Sequence, residues 1–134
     1  MKYLAIDYGL KHIGLATSTG ILAEPYDQLI NTGDKKVIAK IAKICLEQAI
    51  DEVIVGISEQ RMAQLTQQFA KNLQNTIDVP LRLVDETLSS HTAQQYLIQG
   101  SAPLKKRQTK QHQTAAAVIL QEYLDKKNDN IVGI

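Results

Sequence analysis

The order of apolar runs and breaks predicts an α/β fold, a mixed five-stranded sheet with helices on both faces. Two observations carry this. Three β-type runs separated by Gly-containing turns open the chain, the pattern of an antiparallel meander. Helix-period and strand-like segments then alternate, the pattern of crossovers that add parallel strands to a sheet.

The first strand is Lys2–Asp7, an apolar run that delivers one acid to its end. The Tyr8-Gly9 step follows, where glycine permits a tight turn and the close approach of a phosphate. His12–Thr17 is the second strand and Ile21–Leu29 the third, and Asn31-Thr-Gly-Asp34 marks a break. From Asp34 to Ala49, the residues Val37, Ile38, Ile41, Ile44 and Cys45 recur at helical spacing. Glu52-Val-Ile-Val-Gly56 is nearly all apolar, as in a strand covered on both faces. A second helix starts at Ser58-Glu59, with Met62, Leu65, Phe69 and Leu73 as its apolar stripe. Pro80–Asp85 is the last strand, with Pro80 at its entrance, where a missing N–H is harmless. Thr87-Leu-Ser-Ser-His91 opens a third helix, closed by Gly100, and a final helix runs from His112 to Lys127. Three strands, helix, strand, helix, strand, two helices is the element order of the ribonuclease-H-like architecture.

The 134 residues fit one such domain, 1–134, without repeat or linker. A hydrophobic content of 44% sets disorder aside. A net charge of +1 means that any nucleic-acid surface must be a local patch. The lone Cys45 has no second cysteine to pair with and reads as an apolar filler of its helix. No apolar run approaches the roughly 20 residues of a membrane span, and no signal peptide precedes the first strand, so a cytoplasmic location without membrane partners is expected.

Three features bear on chemistry. Asp7 stands at the tip of a buried strand, fixed by the strand and exposed by its end, which suits holding a metal ion; an ordinary β-turn acid is the plainer alternative. Asp85-Glu86-Thr87 ends the last strand in the same way. If the two strands are neighbours, Asp7 and Glu86 converge on one metal-sized space, because ligands gather at the carboxyl ends of parallel strands. The plainer alternative is an acid pair complementing a helix N-terminus. Lys105, Lys106, Arg107 and Lys110, with Ser101 and Thr109 nearby and no aromatics, fit sequence-independent contact with a phosphate backbone, or simply a solvated loop. His12 lies close to Asp7 and is placed to face a phosphate, whereas Tyr8 reads as packing. Ala115-Ala-Ala117 reads as a small-residue face that lets the last helix approach the sheet.

The segment Ile6-Asp-Tyr-Gly-Leu-Lys-His-Ile-Gly-Leu-Ala16, the strand ending in Gly56, Val84-Asp-Glu86 with Thr87-Leu-Ser-Ser90, and Ala115-Ala-Ala-Val-Ile-Leu-Gln121 resemble the YqgF-type proteins. These are described as pre-16S rRNA nucleases or Holliday junction resolvases, and the similarity spans about residues 2 to 125. The resemblance implies a metal-dependent phosphodiester hydrolase that trims the 5′ end of pre-16S rRNA in the cytoplasm, with branched DNA as the alternative substrate. It implies a two-metal site with divalent Mg²⁺ or Mn²⁺, in which the family's metal-holding acids fall on Asp7 and Glu86. A third acid is expected where this chain has His112, so His112 takes its place as a metal-side group. Imidazole there favours Mn²⁺ or softer ions over Mg²⁺. His12 and Thr87 stand where arginines are usual, and Ile57-Ser-Glu-Gln-Arg61 replaces a Pro-containing loop. In this picture His12, Lys105, Lys106, Arg107 and Lys110 bind the nucleic acid.

Two readings from other classes compete. The phosphate loop of actin- and sugar-kinase-type ATPases also reads strand-Asp-x-Gly, but those folds need a duplicated domain of roughly 300 residues. A silent nucleic-acid-binding relative would keep the groove and lack the metal. A junction resolvase would further require a dimer, and no dimer face is evident in the sequence.

Overall fold

In the computed structural model, which describes residues 1–57, 60–85 and 115–128, the sheet is organised around β1 (Tyr3–Asp7). All five residues of β1 are buried, because helices cover the sheet on both sides. β2 (His12–Ser18) pairs antiparallel with β1, and β3 (Glu24–Ile30) pairs antiparallel with β2. α1 (Asp34–Glu47) carries the chain over to β4 (Glu52–Ile57), which lies parallel to β1 on its other side. α2 (Gln60–Gln74) then leads to β5 (Leu81–Asp85), parallel to β4. The strand order is β3-β2-β1-β4-β5, with the antiparallel and parallel halves meeting at β1. A further helix, α3, spans residues 115–128.

Alternation along β1 divides the molecule into two cores. Leu4 and Ile6 face α1 and α2, where Val37, Ile41, Val53, Val55, Phe69 and Leu73 close the larger core. Tyr3 and Ala5 face the other way and meet Ala16, Ile54, Ala116, Ile119, Leu120 and Leu124. Small side chains on both sides of that second contact bring α3 close to the sheet, as Ala115-Ala-Ala117 suggests. Cys45 is buried in the larger core, and burial pushes its thiol up to about 11.

Two expectations need correction. The third strand begins at Glu24 and not at Ile21, because Ile21 and Leu22 lie exposed just beyond the Gly20 turn. Leu65 does not join the buried stripe of α2 and is 47% exposed. At 100° per residue it lies roughly 80° around the helix from the centre of the stripe formed by Met62, Thr66, Phe69, Ala70 and Leu73. Thr66 is buried in its stead. Pro80 does mark the entrance of β5, where its carbonyl accepts the Val53 N–H at 2.9 Å. The helix expected over 87–100 and the basic segment after it lie outside the described residues.

Candidate active site at the carboxyl edge of the sheet

β1, β4 and β5 are parallel, so their carboxyl ends share one edge, where open α/β sheets place their ligands. Asp7 is the last residue of β1 and is 6% exposed. The register sets a row across the sheet at its level: Gln28, Gly14, Asp7, Gly56 and Val84. Both flanking strands therefore put a glycine beside Asp7. With strands about 4.8 Å apart, a strip of sheet on either side of the carboxylate bears no side chain. Glycine inside a strand marks a place where another group comes close to the backbone.

The alternation that puts Tyr3 and Ala5 under α3 turns Asp7 to the same face. The direction of α3 follows from its contacts. Tyr123 meets Tyr3 edge-on at 6.3 Å, Lys127 Nζ donates to the Tyr3 hydroxyl at 3.0 Å, and the Tyr123 hydroxyl reaches Glu52. Tyr3 and Glu52 are partners at the amino edge of the sheet. Earlier turns of α3 pack with Ala5, Ala16 and Ile54, so the helix runs back toward the carboxyl edge. From Tyr123 to Ala115 is about 12 Å of helix, and from Tyr3 to Asp7 about 13 Å of strand. The start of α3 thus reaches the level of Asp7.

The opposite face holds the acid's backbone in place. The Tyr8 ring stacks on Phe69 with centroids 4.4 Å apart, and its hydroxyl donates to Asp34 Oδ1 at 2.7 Å. Burial, then the Asp34 carboxylate, raises the Tyr8 phenol above its ordinary range. Asn31 ties down the turn that follows: its side-chain amide donates to the Gly9 carbonyl at 2.8 Å, and its backbone N–H donates to the Lys11 carbonyl at 2.9 Å. Tyr8 is therefore packing and strut, as its sequence context suggests. Asn31 was legible only as a loop breaker, and its role depends on a contact that local sequence does not reveal.

Of the residues singled out from sequence, Asp7 and His12 lie on this edge. His12 opens β2 half-buried, two residues from Gly14, and alternation puts it on Asp7's face. Glu86, His112, Lys105, Lys106, Arg107 and Lys110 lie outside the described residues. The condition that β1 and β5 be neighbours is not met, since β4 stands between them. Gly56 is what keeps that separation open, because β4 contributes no side chain between Asp7 and the end of β5. Among the described residues, no group of three or more His, Cys, Asp or Glu comes together to hold a metal ion. Asp7 itself offers hard oxygen donors beside the bare strip, which fits Mg²⁺ or Mn²⁺.

A second buried acid, Glu52, is 3% exposed at the far edge. Its carboxylate accepts from Arg82 Nε at 2.6 Å and from the Tyr123 hydroxyl at 3.2 Å, with Lys127 Nζ at 3.9 Å. It ties β4, β5 and α3 together and has no part in the Asp7 edge.

A family model described as "RuvX: Holliday junction resolvase" matches residues 1–126. The chain belongs to this RuvX family. Its RuvX relatives include a protein of Dictyoglomus thermophilum, 30% identical over 93% of this chain and 96% of its own length. Another, from Sulfurihydrogenibium sp., is 34% identical over 93% of this chain and 90% of its own length. Both carry the description "Putative pre-16S rRNA nuclease". Among solved structures, RuvC of T. thermophilus in complex with a Holliday junction substrate aligns with a TM-score of 0.55 at 13% identity, covering 88% of this chain and 90% of that one. The Fowlpox virus resolvase bound to Holliday junction DNA gives 0.55 at 12% identity, over 98% and 99%. At such identities the likeness is one of fold, and it bears out the ribonuclease-H-like architecture for this RuvX member.

Proposed function

We propose that this chain is a divalent-metal-dependent nuclease that hydrolyses phosphodiester bonds at the Asp7 edge and processes the 5′ end of pre-16S rRNA in the cytoplasm. The observation that carries the reading is the placement of Asp7: a buried carboxylate ending the central strand, flanked by Gly14 and Gly56, on the face that α3 reaches. Family membership and the relatives' descriptions support the same chemistry. Among the described residues no helix is long and apolar enough to cross a membrane, which is compatible with that location.

Asp7 anchors the metal and brings negative charge to a site of low solvent access. Glu86 is its partner. Val84 packs on the α3 core, and strand alternation assigns position 86 to the same face, across the gap that Gly56 leaves. His112 precedes the start of α3 by three residues and completes the set from the helix side, as a ligand or by orienting the attacking water. When bound, Mg²⁺ or Mn²⁺ lowers the pKa of water and stabilises charge on the leaving oxygen. Lys105, Lys106, Arg107 and Lys110 neutralise phosphates beside the bond to be cut, and His12 contacts the strand along the sheet edge. Residues 1–134 act as one domain in this reading.

The test is cleavage of a 5′-extended 16S precursor fragment and of a four-way DNA junction, with Mg²⁺ and Mn²⁺ side by side. Parent protein is expected to cut the precursor, and Asp7→Asn to abolish cutting while the fold stays intact. Unchanged rates in Asp7→Asn would discard the site. The family description favours the junction as a second substrate, and faster cutting of the junction would move the assignment there.

A further inference from the structure

Gln28 shares the row and the face of Asp7, two strands away on β3, with only Gly14 between them. The backbone separation is about 10 Å. Its side-chain Oε1 is buried and has no hydrogen-bond partner among the described residues. A buried carbonyl oxygen without a donor is destabilising, so its retention calls for a reason. The backbone of Gln28 is occupied with its own contacts, its N–H donating to Asp27 Oδ1 at 2.8 Å, and leaves the side chain uncommitted. An apolar residue would fill the same place on β3 at no such cost.

We propose that Gln28 is a specificity-determining residue, whose side-chain carbonyl accepts a hydrogen bond from the ribose 2′-hydroxyl of a nucleotide beside the one cut at Asp7. The inference rests on the nuclease reading above. A strand whose scissile phosphate sits at Asp7 must run on over the bare strip at Gly14, and Gln28 is the next side chain in that direction. The sugar is the group joined directly to each phosphate and is present at every step, whereas a base amine occurs on some bases only. A hydroxyl both donates and accepts, so it satisfies the amide in either of its two orientations. DNA has no donor at that position, so the contact distinguishes RNA from DNA.

The experiment uses the 5′-extended 16S precursor fragment with single 2′-deoxy or 2′-fluoro substitutions at each nucleotide flanking the cut. The fluoro sugar keeps the ribose pucker and lacks the donor. Parent protein is expected to lose cleavage rate and binding roughly tenfold or more at one such position, since a site built to bond a hydroxyl rejects the analogue without it. Gln28→Met, close in shape and without the acceptor, is expected to treat ribose and fluoro sugars alike and to melt no lower than the parent. Gln28→Glu, which restores an acceptor, is expected to recover the discrimination. The proposal is overturned if parent protein is indifferent at every position, or if Gln28→Met still discriminates. It is also overturned if the preference follows deletion of a base amine and not of the hydroxyl. If parent protein cuts the precursor, Asp7→Asn does not, and no sugar preference exists, this inference alone fails. If parent protein cuts no oligonucleotide, the nuclease reading fails and this one with it.

Discussion

Burial alone does not separate a working acid from a structural one, and this chain provides both kinds in one sheet. Asp7 and Glu52 are 6% and 3% exposed, at opposite ends of adjacent parallel strands. Because Tyr3 pairs with Glu52, Asp7 lies four residues along, about 13 Å away. Glu52→Gln is the perturbation that separates them. The substitution preserves shape and one acceptor oxygen, so either Arg82 or Tyr123 keeps a bond. What disappears is the charge, and with it the charge-assisted part of the Arg82 hydrogen bond at 2.6 Å and the attraction of Lys127 at 3.9 Å. Breaking a buried pair costs about 3–5 kcal/mol when it strands a charge in the interior. Here the partners are 63% and 39% exposed and rehydrate, so a loss of about 1–2 kcal/mol is expected. For a chain of this size that lowers the melting temperature by about 3–10 °C.

The assay is a melting curve and a cleavage rate on the same preparations, well below the melting range. Glu52→Gln should melt lower and cut at the parent rate, whereas Asp7→Asn should cut nothing and remain folded. A Glu52→Gln protein that melts like the parent but no longer cleaves would refute the division drawn here. Tyr123 adds a pH signature. Burial, then Glu52, raises its phenol above 10. A group whose folded pKa is raised contributes stability fully present below the unfolded value and lost as pH rises through the folded one. The parent is therefore expected to lose stability above pH about 10, and Glu52→Gln to show a smaller loss there.

Tyr8→Phe keeps the stack on Phe69 and removes the 2.7 Å bond to Asp34, so stability should fall by about 1–2 kcal/mol with the cleavage rate unchanged; a collapse in rate at constant stability would make Tyr8 chemical and not structural. Replacing Lys105, Lys106 and Arg107 together by Ala should weaken nucleic-acid binding alike for all sequences and flatten the salt dependence by roughly 0.7–0.9 for each phosphate no longer neutralised, and an unaltered slope would return the segment to plain surface. If His112 is a metal ligand, cleavage should decline as pH drops through about 6–7, because only neutral imidazole binds a metal. His112→Asp should then flatten that profile and favour Mg²⁺, and His112→Ala should lose activity at every pH; an Ala variant as fast as the parent removes His112 from the site.

What was legible in the chain was local. The run from Tyr3 to Asp7 is apolar on both faces of the pleat, and that requires cover on both sides, so its central position and the terminal acid could be read directly. Strand ends governed by tertiary exposure were less readable: Ile21 and Leu22 look like strand residues but lie in an exposed turn. Leu65 fits the composition of the α2 stripe but not its angle, and Thr66 shows that a helix buries whatever its geometry turns inward. The glycine flanks of Asp7 were unreadable in a different way. Gly14 and Gly56 are visible as glycines, but that both fall beside Asp7 is a matter of register between distant segments. Glu52 likewise looks like the entrance of a strand, and its partners Arg82 and Tyr123 lie 30 and 71 residues away.

Consecutive residues at the end of β1 divide mounting from chemistry. Tyr8 turns to the α1–α2 side, where Phe69 and Asp34 hold it, and Asp7 turns to the α3 side with a glycine on each flank. Rigidity is thus supplied from the face that takes no part in the reaction, and the working face is left clear. A carboxylate positioned this way is preorganised by the strand that carries it. The same clearance has a cost in selectivity. With no side chain on the adjacent strands, β2 and β4 supply nothing at this level that distinguishes one phosphodiester from another. Discrimination must come from the borders of the bare strip: from Gln28 on the β3 side, from the end of β5, and from what precedes α3. The departures at His112 and Thr87 fall on those borders and not on the Asp7 mount, so substrate and metal preference can diverge within this fold while the mount of its first acid stays the same.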